Sequence, residues 1–101
     1  MDHYPRWKNE MTDQLFKAIL RLDNIDDCYQ FFEDVATINE IKELSQRLEV
    51  ARMLDEGFIY EDIVQKTGAS SATISRVKKC LNYGADGYQL ILKKIKPKSK
   101  L

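Results

Sequence analysis

The stretch Tyr60-Glu61-Asp62-Ile63-Val64-Gln65-Lys66-Thr67-Gly68-Ala69-Ser70-Ser71-Ala72-Thr73-Ile74-Ser75-Arg76-Val77-Lys78-Lys79-Cys80-Leu81 decides how this chain folds. It reads as two short helices joined by a tight turn. Gly68 stands where such a turn needs a positive φ, a conformation that penalises any side chain. Ser70 is placed to cap the second helix by accepting from a first-turn amide. Ile63, Val64, Ala69, Ile74, Val77 and Leu81 occupy the positions that must be apolar to lock the two helices together. On a helical projection, Ile74, Val77 and Leu81 share one side of the second helix, with Ile63 and Val64 facing them from the first. Ala72, Ser75, Arg76, Lys79 and Tyr83 share the other. This is the arrangement of a helix-turn-helix over residues 60–82, in which the second helix enters the major groove.

The outward face has the chemistry for that task. Ser70, Ser71, Ala72, Thr73 and Ser75 are small or hydroxyl-bearing, so base edges and thymine methyl groups can come close. Arg76 can pair with guanine, and Arg76, Lys78 and Lys79 can neutralise phosphates. Lys66 and Lys78 are expected at the DNA backbone. The amides near Ser70 and Ser71 add a phosphate site at the helix N-terminus.

Working outward, Tyr83-Gly84-Ala85-Asp86-Gly87 breaks the chain before a last apolar helix, Tyr88 to Ile95, and residues 96–101 form a basic tail. Upstream, Thr37-Ile38-Asn39-Glu40 has the spacing of a capping box. The helix it opens runs to about Glu56, with Ile41, Leu44, Leu48, Ala51 and Leu54 as its apolar stripe and Gly57 to end it. Residues 26–35 carry Cys28, Tyr29, Phe31, Phe32 and Val35 on a short helix that Asp23 or Asn24 can cap, and core packing is the expected role of this aromatic patch. From Glu10 to Leu22, one face holds Leu15, Ala18, Ile19 and Leu22 while Phe16 and Leu20 make a second. A helix apolar on two sides needs two partners, which points to a subunit interface. No segment alternates as a strand. The expectation is an all-α chain: an N-terminal arm (1–9), a six-helix domain (10–95) and the tail.

Composition bounds the function. The chain has 101 residues, one domain's worth, and a chain this short buries a modest share of its surface. Its formal charge is zero, but the charges are not evenly spread. Residues 1–67 hold 8 basic against 15 acidic side chains, and residues 68–101 hold 8 basic against Asp86 alone. The basic half contains the helix-turn-helix, as nucleic-acid binding requires. The two cysteines, Cys28 and Cys80, are far apart and read as reduced thiols of a cytoplasmic protein. No run is long enough to span a membrane. Catalysis and metal binding are not expected: the single histidine, His3, lies in the arm, and no ligand cluster surrounds either cysteine.

The runs Thr37-Ile-Asn-Glu-Ile-Lys-Glu-Leu-Ser-Gln-Arg47, Leu54-Asp-Glu-Gly57 and Gly68-Ala-Ser-Ser-Ala-Thr-Ile-Ser-Arg76 resemble the tryptophan-repressor family, most closely its shorter relatives with no assigned ligand. The resemblance spans residues 36–82. It implies an intertwined homodimer whose two heads read half-sites about one helical turn apart. It also implies a corepressor pocket, in which two arginines sandwich an indole. Those arginines match Arg47 and Arg76, and a pocket threonine matches Thr37. The family's glycine after the second arginine is replaced by Val77, whose branched side chain would fill the slot, so tryptophan is not the expected ligand.

Together these readings describe a homodimeric regulator that binds double-stranded DNA and represses by occlusion. They call for no cofactor beyond a small corepressor, if any. Two alternatives stand beside it. One is a protein–protein adaptor of the same fold that works through its acidic half and no longer binds DNA. The other is a repressor gated by a small ligand.

Overall fold

The computed structural model describes residues 4–95. They form six helices, α1 (Glu10–Ile19), α2 (Ile25–Val35), α3 (Ile38–Asp55), α4 (Tyr60–Thr67), α5 (Ser71–Tyr83) and α6 (Gly87–Ile95). The basic tail, residues 96–101, lies outside the described residues, as does His3. The chain divides into two compact units, one ending at Ile38 and the other beginning at Asn39.

In the first unit the arm is tied to α1. The Lys8 amide donates to the Pro5 carbonyl, and the Lys8 ammonium pairs with Asp13 at 2.9 Å. That hydrogen bond is the main cause of the upward shift of the Lys8 pKa. Trp7 meets Phe16 edge-on at 6.4 Å. Asn9 and Thr12 cap α1 reciprocally, and Asn24 caps α2 through the Asp27 amide at 2.8 Å. Phe31 and Phe32 pack edge to face at 5.3 Å. Neither α1 nor α2 buries a single side chain fully, so the aromatic patch of α2 is not the core expected of it. Met11, Leu20, Ile25 and Tyr29 are each more than 70% exposed.

The second unit holds the core. Val50, Ala51 and Met53 of α3, Ile63 of α4, Ala69 of the turn, Ile74, Val77 and Leu81 of α5 and Leu92 of α6 are buried together, with Leu54 and Tyr88 packed against them. α3 follows its expected stripe at Ala51 and Leu54 and departs from it at Ile41, Leu44 and Leu48. Among the described residues none of its side chains before Val50 is buried, and Leu44 is 52% exposed. Ile41, Leu44 and Leu48 lie roughly a third to half a turn round the helix from Val50 and Met53. α3 therefore carries two apolar faces, and only its C-terminal half meets the core. Val64 is likewise exposed, where the sequence placed it inward: one residue on from Ile63, it is carried round the helix and out of the α4–α5 seam.

Gly68 adopts φ +73° and ends α4, its amide donating to Val64 at 2.8 Å. An added Cβ would meet nothing within 4 Å, so substitution strains only the backbone. Gly68→Ala should therefore lower unfolding free energy by about 1–2 kcal/mol. Urea titration should show a lower midpoint at unchanged slope, because the core is untouched.

Candidate nucleic-acid interface

The site is built from the turn outward. Ser70 takes extended backbone angles, and its hydroxyl accepts from the Thr73 amide at 3.1 Å. The same hydroxyl lies 3.1 Å from that of Thr73. Both side chains are thus committed to the cap, and Thr73 is half-buried. The turn itself is held by Thr67. Its hydroxyl donates to the Ile63 carbonyl at 2.7 Å and accepts from the Ala69 amide at 3.1 Å. Gln46 of α3 reaches over to donate its side-chain amide to the Thr67 carbonyl at 3.0 Å. Sequence patterns gave no signal for Gln46, because its partner is 21 positions away.

With Ile74, Val77 and Leu81 buried, the rest of α5 is set by helix geometry. Ser71, Ala72, Ser75, Arg76, Lys78, Lys79 and Tyr83 are all exposed. Ala72, Ser75, Arg76 and Lys79 share the face opposite the core. No acidic side chain lies on α5. Lys78 sits apart from that face. Its ammonium lies over the ring of Tyr60, 5.6 Å from the centroid, so it bridges the second helix of the motif to the first residue of α4. Lys66 is exposed in the last turn of α4, where the helix dipole favours a cation.

The residues of the ligand pocket implied by the resemblance are placed as follows. Val77 is 1% exposed and belongs to the core. Arg76 is exposed, and Arg47 is half-buried on α3. Among the described residues Arg47 forms no ion pair, though its charge acts on Tyr88. The Tyr88 pKa is raised, first by burial and then by Cys80, against the opposing effect of Arg47. Thr37 is exposed just before α3. A separate open groove of about 440 Å³ lies between α3 and the end of α4, lined by Ile41, Lys42, Ser45, Gln46, Glu49 and Thr67. None of the four residues implied for the pocket lines it. At its edge Arg52 donates to both oxygens of Glu49 and to Glu56, and the hydrogen bond from Arg52 is the main reason the Glu49 pKa is lowered.

Other chemistry is sparse. Among the described residues no cluster of His, Cys, Asp and Glu could hold a metal ion. Nor is any described helix long and apolar enough to cross a membrane.

Comparison with known proteins agrees with this geometry. The chain is 61% identical over 89 residues to YerC, an uncharacterized protein of Bacillus subtilis (strain 168), an alignment covering 88% of this chain and 86% of the relative. The crystal structure of a TrpR-like protein from Eubacterium eligens superposes with a TM-score of 0.84 at 59% identity, covering 86% of this chain and 90% of that one. A candidate Trp repressor from Staphylococcus aureus gives a TM-score of 0.83 at 53% identity, covering 86% of this chain and 87% of that one. The sequence model of the Trp repressor protein family matches residues 10–96. An all-helical fold of this type, a glycine-hinged helix-turn-helix and a family match across most of the chain agree: this chain belongs to the Trp repressor protein family.

Proposed function

We propose that the chain is a sequence-specific, homodimeric DNA-binding regulator that represses transcription by occupying its site. The observation that carries this reading is the exposed face of α5. Ser71, Ala72, Ser75, Arg76 and Lys79 project from a helix free of acidic side chains, and that helix is anchored by three buried residues. Ala72 and the serines suit close approach to base edges, Arg76 suits guanine, and Lys79 suits phosphate. Membership of the Trp repressor protein family and the likeness to TrpR-like structures support the same conclusion.

Arg76→Ala and Lys79→Ala should each weaken DNA binding, by roughly tenfold or more for the arginine if it pairs with guanine. Thermal unfolding should stay unchanged, since both side chains are exposed. The logarithm of affinity should fall steeply with salt, with a slope shallower by about 0.9 for each phosphate contact removed. Absence of DNA binding at low salt would instead favour the adaptor, working through the acidic half.

Dimerisation is supported by apolar side chains left uncovered. Leu44 and Leu48 on α3, and Leu90, Ile91 and Ile95 on α6, are each between 37% and 64% exposed. In the other unit, Met11 and Phe16 of α1 and Leu20 at its C-terminal cap are exposed. An apolar display on this scale marks an interaction surface. Sedimentation should give twice the 11.8 kDa chain mass. Leu48→Glu should shift the protein toward monomer, and a native chain that sediments as a monomer at micromolar concentration would refute the dimer.

Val77 supports operation without tryptophan, because its buried side chain is part of the core. Added tryptophan should leave DNA affinity unchanged, and a tryptophan-dependent rise would overturn this. Val77→Gly removes a buried isopropyl group and places glycine inside a helix, which should cost about 3 kcal/mol of stability.

A further inference from the structure

We infer that Tyr60 is a positioning residue for DNA binding: its ring holds the Lys78 ammonium at the α4–α5 seam, ready for a phosphate of the backbone strand beside the recognition helix. The inference rests on the regulator reading above. A helix with its side chains is roughly 10–12 Å across, and the major groove is about 12 Å wide. Its outermost residues therefore face bases, while those roughly 90° to either side face the two phosphate backbones. In α5 the outermost face is that of Ala72, Arg76 and Lys79, opposite the buried Ile74 and Val77. Lys78 is turned roughly 100° from Lys79, 120° from Ala72 and 160° from Arg76, which puts it on the flank it shares with Ser71 and Asn82 and toward the α4 side of the helix. That flank is the one next to Tyr60, the first residue of α4.

A lysine on a helix flank ordinarily samples many rotamers, and ordering it on binding costs free energy. Here the ammonium is already held 5.6 Å from the centroid of the Tyr60 ring, within the range of a cation–π attraction. Glu61 and Asp62 follow Tyr60 directly, yet among the described residues Lys78 forms no ion pair. An aromatic partner directs a cation without neutralising it, so the full charge stays available to phosphate. A carboxylate in the same place would compete with DNA. Tyr60 also joins the two helices of the motif through the charge that meets the backbone, so the seam and the phosphate contact are set together.

The test is a double-mutant cycle on sonicated genomic DNA at low salt, with circular dichroism to verify each fold. Tyr60→Leu should weaken binding by roughly two- to fivefold, the loss expected for an exposed cation–π contact. Tyr60→Phe, which keeps the ring, should bind as the native protein does. Lys78→Ala should weaken binding and make the salt slope shallower by about 0.9. In the Lys78→Ala background, Tyr60→Leu should have no further effect. Equal losses from Tyr60→Leu in both backgrounds would overturn the inference, as would a Tyr60→Phe variant as weak as Tyr60→Leu. Normal binding by Lys78→Ala alongside a weakened Arg76→Ala would overturn it too, while leaving the regulator reading intact. If the native protein is not retained on DNA at all, the regulator reading falls first and the inference falls with it.

Discussion

The packing of Ile63 against Ile74 and Val77, backed by Val50, Ala51 and Met53 of α3, fixes the angle between α4 and α5, and the rest of the site follows from it. Ile63 and Ile74 are fully buried. Truncating either would open a cavity in the small core that this unit has, which is a cost of a few kcal/mol. The turn between the helices adds little apolar burial beyond Ala69, but it sets the direction of the chain. Gly68 supplies the left-handed residue, Thr67 bonds across the turn, and Gln46 ties it to α3. Packing and turn together leave α5 with one orientation, and its outward side chains inherit it.

The division of labour among hydroxyls and cations is finer than residue type suggests. Ser70 and Thr73 could each serve a DNA site, but both are engaged in the cap. Ser71 and Ser75 remain exposed. The cations divide in the same way. Arg76 and Lys79 lie on the outer face, whereas Lys78 is held on the flank by an aromatic ring. The outer cations and the flank cation are thus separated by less than half a turn of one helix, a spacing that would suit bases on one side and phosphate on the other if the helix occupies a groove as proposed.

Exposed apolar surface connects the fold to the proposed dimer. Fully buried side chains belong to α3–α6 and the turn, while α1 and α2 have none. The N-terminal capping box, the Lys8–Asp13 pair and the Trp7–Phe16 contact order the first unit locally. Exposed local bonds of this kind contribute modestly, so α1 and α2 need apolar cover to be stable. The second apolar face of α3 makes the same demand from the other unit. A second copy of the chain would meet both demands.

How much of this was legible from the sequence depends on the range of the interaction that decides it. The helix ends were legible because caps are local: Asn24, Ser70 and Gly68 act on amides or backbone angles within a few residues. The inward face of α5 was legible for the same reason, since a helical period is a property of neighbouring positions. Of the Ile41–Leu44–Leu48–Ala51–Leu54 stripe, Ala51 and Leu54 do reach the core, but periodicity cannot say what covers a face, and only packing showed that the core also takes Val50 and Met53 and leaves Ile41, Leu44 and Leu48 out. Val64, the Gln46–Thr67 bond and the seat of Lys78 on Tyr60 were beyond the sequence for a related reason. Each depends on where one helix lies against another, and that is settled by the whole core at once rather than by any stretch of chain.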